Sequence, residues 1–90
     1  MTIQMQKFGT LLNGRPSAHE AALRVQQLVN GSAATENVVL DFAGVEILTP
    51  SYADELLHTL KEIYGENKVK VENAETGTVR DTLTAVGSAA

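Results

Sequence analysis

The stretch Val38-Val39-Leu40-Asp41-Phe42 constrains this chain more than any other feature. Two valines, a leucine, one acid and an aromatic form a run too short for a helix and apolar on both sides of a pleat. Such a run reads as a central strand covered on both faces, which calls for helices before and after it. Ala43-Gly44 breaks the strand, and Val45, Ile47 and Leu48 carry apolar side chains along the crossover that follows.

The flanks supply those helices. On the N-terminal side Ala18, Ala21, Ala22, Val25, Leu28 and Val29 recur at helical spacing, leaving His19, Arg24, Gln26 and Gln27 mainly on the wet side. Pro16 suits the first turn, Ser17 and Glu20 have the spacing of a capping box, and Asn30-Gly31 is a stop signal. On the C-terminal side Ala53, Leu56, Leu57, Leu60 and Ile63 form the stripe of a helix that starts around Thr49-Pro50-Ser51, reaches Tyr64 and ends at Gly65. Residues 3–8 alternate apolar and polar, a strand with Ile3, Met5 and Phe8 inward, and Leu11-Leu12 reads as a short return strand. Residues 68–72 alternate again. Asn73 is placed to cap a last helix with the stripe Val79, Leu83 and Val86, and the tail 87–90 is expected to fray. The order predicts an α/β fold: one domain over residues 1–90, with a mixed β-sheet of about four strands packed against three α-helices.

Composition excludes several functions. Seven Lys and Arg against eleven Asp and Glu give a formal net charge of −4, and the cations are scattered. A nucleic-acid binder needs a basic stripe to displace counterions, so no nucleic-acid partner is expected. No apolar run approaches the roughly 20 residues of a membrane span, and the start lacks a signal pattern, so the expectation is a cytoplasmic protein without membrane contact. Zero cysteines remove disulfides and thiolate chemistry. His19 and His58 stand in no metal-ligand spacing, and the glycines form no phosphate loop, so neither a metal nor a cofactor is expected.

Four pieces in order carry a resemblance: Phe8-Gly9, Arg15-Pro16-Ser17-Ala18, Asp41-Phe42-Ala43-Gly44-Val45 and Ala53-Asp54-Glu55-Leu56. Together they resemble STAS domains, which occur in bacterial anti-sigma-factor antagonists and in sulfate transporter tails. The closer likeness is to short STAS-like domains of unassigned function, and it runs from about residue 8 to residue 86. It implies a STAS-like fold and a signalling role exercised by docking to a protein partner, a kinase-like ATPase or its regulator. In the antagonists a serine at the start of the helix after the central strand is phosphorylated, and Ser51 falls on that position. Where the antagonists have an acid, two hydroxyl residues and a glycine, this chain has Thr49, Pro50, Ser51 and Tyr52. The resemblance also gives Glu55 a polar contact with Arg15 as the alternative to plain solvation.

The residues themselves leave two capping schemes open. Thr49 caps with Pro50 at the first helical position, or Ser51 caps with Asp54 three residues on. Either scheme sets a hydroxyl at a positive helix end that tolerates a phosphate or another anion, making Ser51 and Thr49 candidate phosphorylation or anion sites. The partner-binding surface is expected to comprise Pro50, Tyr52, Asp54, Glu55 and His58, with Tyr52 as its amphipathic anchor. Ser51, Asp54 and His58 follow one another along a single helix, which holds the serine and histidine backbones about 10 Å apart. They make no triad, and no enzyme is expected. His58 is expected to pair with Asp54 or Glu62, and Asp41 to accept from the turn after its strand. Two other readings stand beside docking: a small anion- or nucleotide-binding domain using the same helix start, and a structural module that forms a homodimer through its sheet edges or its first strand.

Overall fold

The computed structural model of the protein describes residues 1–29, 37–74 and 77–86. Its strands are β1 (Thr2–Gln4), β2 (Leu11–Leu12), β3 (Val38–Asp41), β4 (Ile47–Leu48) and β5 (Val69–Glu72). Its helices are α1 (Arg15–Val29), α2 (Pro50–Tyr64) and α3 (Gly77–Ala85), with single 3-10 turns at Met5–Phe8 and Glu66–Lys68. The α/β class and the three helices are those the sequence predicts.

Strand pairing among the described residues is parallel throughout. β3 lies between β1 and β5, with Ile3 opposite Leu40 and Leu40 opposite Val71. β2 and β4 form a separate two-stranded piece, Leu11 opposite Ile47 and Leu12 opposite Leu48. The expected mixed sheet of four strands therefore divides into a three-stranded and a two-stranded parallel unit. Leu11-Leu12 does not return along β1, because the 3-10 turn carries the chain away and Thr10 C=O is taken by the N–H groups of Glu46 and Ile47. The crossover residues Ile47 and Leu48 thereby become a strand.

Burial alternates along the central strand: Val38 and Leu40 are buried, while Val39 and Asp41 are only half-buried. The same alternation in β1 and β5 puts Thr2, Lys70, Gln4 and Glu72 on the outer face. Among the described residues one face of the sheet is thus covered, not both. Valine at position 39 serves the pleat with its branched side chain rather than a second core.

The core is continuous from Ile3 and Met5 through Leu12, Phe42 and Leu48 to Val79 and Leu83. Alanines 18, 21 and 22 on α1 and Ala53 on α2 are buried, and α1 and α2 pack along each other. Leu28 and Ile63, counted in the helical stripes, are exposed at the stripe edges. Gly44 turns the chain after β3 at φ +84°, and a Cβ there would lie 2.6 Å from the Gln6 side chain. Ser17 lies inside α1, which begins at Arg15, so the expected capping box is displaced from the helix start. Asn30-Gly31 and the tail 87–90 lie outside the described residues.

α3 does more than fill the core. Thr82 Oγ1 donates to Leu48 C=O at 2.6 Å and Thr78 Oγ1 to Glu46 C=O at 2.9 Å, while Leu48 N–H donates to Thr78 Oγ1 at 3.4 Å. Two threonines one helical turn apart thus satisfy the outer edge of β4, where a strand would otherwise be needed. Replacing buried Thr82 by valine keeps the shape and removes the donor. Thr82→Val is expected to lower stability by about 1–3 kcal/mol in urea unfolding, because the Leu48 carbonyl loses its buried donor; Thr84→Val, at an exposed helix position, is expected to change it by less than about 0.5 kcal/mol.

Candidate functional site

The start of α2 is built by Thr49. Its backbone is extended, at φ −84° and ψ 153°, as a residue before proline must be, and Pro50 occupies the first helical position. Thr49 Oγ1 accepts from Tyr52 N–H at 3.4 Å and from Gly14 N–H at 3.3 Å, and donates to Leu12 C=O at 3.3 Å. Thr49 N–H donates to the same Leu12 carbonyl at 3.0 Å. One hydroxyl therefore ties the entry of α2 to the entry of α1. Of the two capping schemes the structure takes the first, with Thr49 as cap.

This arrangement spends most of what an anion would use. Pro50 has no N–H, the Tyr52 N–H goes to Thr49 Oγ1 and the Ala53 N–H to Thr49 C=O. Only the Ser51 N–H of the first turn is left for an incoming anion. Thr49 Oγ1 also shares a 3.4 Å hydrogen bond with the Ser51 hydroxyl, which is not needed for the cap itself. Ser51 is half-buried and Pro50 exposed.

Charges gather one turn further along. Arg15 Nη1 lies 2.8 Å from Asp54 Oδ2 and 3.6 Å from Glu55 Oε1. The Asp54 hydrogen bond, followed by the attraction of both carboxylates, holds the guanidinium above its ordinary pKa. Glu55, the more sheltered of the two acids, also receives Thr59 Oγ1 at 3.3 Å and faces His19 Nδ1 at 3.6 Å. The Arg15–Glu55 contact implied by the resemblance is present, and His19, assigned by periodicity to the solvent face, joins it. His58 Nε2 pairs with Glu62 at 3.1 Å instead of Asp54, so no serine–acid–histidine relay forms.

Tyr52 corrects an expectation. It is 2% exposed and belongs to the core, so it is not an anchor offered to a partner. Burial pushes its phenol up to about 12. Helical spacing explains the difference: Tyr52 precedes Leu56 by four positions and shares the stripe that runs inward. Asn73 is a second correction. It does not cap α3, which begins at Gly77; at φ 54° it turns its amide to Asp41 Oδ1 at 2.7 Å. Ala43 N–H donates to the same oxygen at 2.9 Å, the turn contact expected of Asp41. These bonds, Asn73 first, draw the Asp41 carboxyl below its usual range. Among the described residues no group of three or more His, Cys, Asp or Glu could hold a metal ion, and no helix is long and apolar enough to cross a membrane.

Strands parallel to one another, helices on one face and a capped helix following the central strand define a STAS-like domain. The profile of the family described as STAS-like domain of unknown function (DUF4325) matches residues 22–78, more than half of the chain, and the chain belongs to that family. The matched region contains the Asp41–Val45 and Ala53–Leu56 pieces and leaves Phe8-Gly9 and Arg15–Ala18 outside it. No curated protein and no solved structure matches the chain.

The two hydroxyls at the helix start separate in a stability measurement. Thr49→Ala is expected to cost about 1–2 kcal/mol through loss of the cap, and Ser51→Ala less than about 0.5 kcal/mol. Asp41 has a pH signature. Because its folded pKa is depressed, its stabilisation is full above the ordinary value of 3.8 and is lost as pH falls through the depressed one. In chemical unfolding, the stability advantage of the wild type over Asp41→Asn is expected at neutral pH and to shrink below pH 3.8.

Proposed function

We propose that this chain is a non-enzymatic regulatory module that docks to a protein partner through the first turns of α2, with Ser51 as its phosphorylation switch. The observation that carries the reading is the division of labour at the helix start: Thr49 does the capping, and the neighbouring Ser51 hydroxyl makes only a 3.4 Å hydrogen bond to Thr49 Oγ1. A serine that contributes little to stability can be modified without unfolding the domain.

The docking surface comprises exposed Pro50, Asp54 and His58 with half-buried Ser51 and Glu55. Tyr52 and Thr49 hold it in place from beneath. A phosphate on Ser51 adds about −1.5 to −2 charges one turn from Asp54 and Glu55. With one free backbone N–H to receive it, the phosphate turns to Arg15 as its counter-charge and competes with Asp54 for the guanidinium. Modification thus changes both the sign of the surface and the tie between α1 and α2. The family resemblance suggests a kinase-like ATPase, or a regulator controlled by one, as the partner, with the complex formed in the cytoplasm.

Affinity capture from lysate with wild-type, Ser51→Ala and Ser51→Asp baits tests this reading. The expected result is a common partner on wild type and Ser51→Ala that is lost from Ser51→Asp. A partner held equally by all three baits would remove the switch and keep the module. No partner on any bait would count against docking itself.

A further inference from the structure

On the side of α1 away from the Arg15 cluster lies a cavity of about 260 Å³, walled by Phe8, Leu11, Leu12 and Ala21 and floored by Tyr52. It adjoins a second of about 340 Å³ between Lys7, Phe8, Arg24 and Leu28. Phe8 and Arg24 line both, so the two are one groove with a shared wall. Each part is near the lower end of the roughly 300–1,000 Å³ range of small-molecule sites.

Three features of the groove are unexplained by the fold. Leu11 and Leu28 are 61% and 43% exposed, an apolar margin left open to water. Lys7 and Arg24 both border the groove, and neither forms an ion pair among the described residues, although the chain as a whole carries a net charge of −4. The Tyr52 side chain is almost wholly buried and lines the cavity, and its hydroxyl makes no hydrogen bond among the described residues. A phenol in that position stays protonated and is available as a donor.

We infer that the groove between α1, the 3-10 turn and β2 binds a small organic monoanion with an apolar body: Arg24 and Lys7 take the anionic group, Phe8, Leu11 and Leu28 cover the body, and the Tyr52 hydroxyl donates to an acceptor at the far end. Charge complementarity selects the anion, since Lys7 and Arg24, neither in an ion pair among the described residues, border the same groove. Glu20 stands on the same rim one turn from Arg24 and disfavours a second negative charge, which limits the ligand to a monoanion. The site is separate from the docking surface and does not depend on Ser51.

Monomethyl suberate, which carries a carboxylate, a hydrocarbon chain and an ester acceptor, is a suitable probe, with the neutral dimethyl ester as its control. In an NMR titration of the full chain the monoester is expected to bind saturably with a Kd of about 1 mM. The shifts are expected at Phe8, Leu11, Ala21, Arg24 and Tyr52, with the diester much weaker. Arg24→Gln is expected to weaken binding about tenfold, and Tyr52→Phe about three- to tenfold, while both variants keep the wild-type melting temperature. Equal binding of ester and diester, shifts centred on Ser51 and Asp54, or affinity untouched by Arg24→Gln would each overturn the assignment. So would the absence of saturable shifts at millimolar probe.

Discussion

The structure depends on one hydroxyl. Thr49 ends the short strand β4, caps α2 and reaches the Leu12 carbonyl and the Gly14 N–H at the point where β2 gives way to α1. The β2-to-α1 and β4-to-α2 passages therefore meet at a single side chain. The geometry follows from Pro50, which forces the residue before it into an extended conformation and so turns the Thr49 side chain back toward its own helix and the neighbouring loop. Around this knot the two small strands pair in parallel, α1 lies along α2, and the threonines of α3 close the outer edge of β4.

The proposed docking surface is a consequence of that knot. Because Thr49 satisfies the helix end, the next hydroxyl keeps only its contact with Thr49 Oγ1, and because Tyr52 is committed to the core, the residues around it are held from beneath while remaining accessible. Arg15 belongs to the same unit: it starts α1 next to Gly14 and finds Asp54 and Glu55 on α2. A change of charge at Ser51 would be felt by both helices through this pair. Exposed ion pairs of this kind add little to stability, so the cluster is better understood as a device for orientation than as a brace.

Much of this was legible in the amino-acid pattern. The stripe from Ala53 to Leu60, the Thr-Pro start and the glycine stop placed α2 closely, because helical periodicity and capping chemistry are local. The Asp41 turn and the Arg15–Glu55 contact were also within reach, the second through family likeness. What escaped detection was non-local. Nothing in Leu11-Leu12 says which strand it will pair with, and a parallel partner lies 36 positions away in sequence. Valine at 39 looks the same whether its face is covered or open. Tyr52 has the chemistry of an interface anchor, but its position in the stripe sends it inward; Asn73 has cap-forming chemistry, but its amide goes to Asp41. Thr78 and Thr82 had a readable signal, two hydroxyls at i and i+4 on an amphipathic helix, but its meaning depended on the edge of β4.

Membership of the STAS-like family fixes the class of fold and leaves open where this chain makes contact. Photo-crosslinking in living cells addresses that question most directly. A photoreactive residue replaces His58 on α2 in one strain and Lys70, on the open face of the sheet, in another. The account predicts one protein adduct from position 58 and none from position 70. An adduct from position 70 alone, or the same adduct from both, would contradict the claim that this domain works through the start of α2.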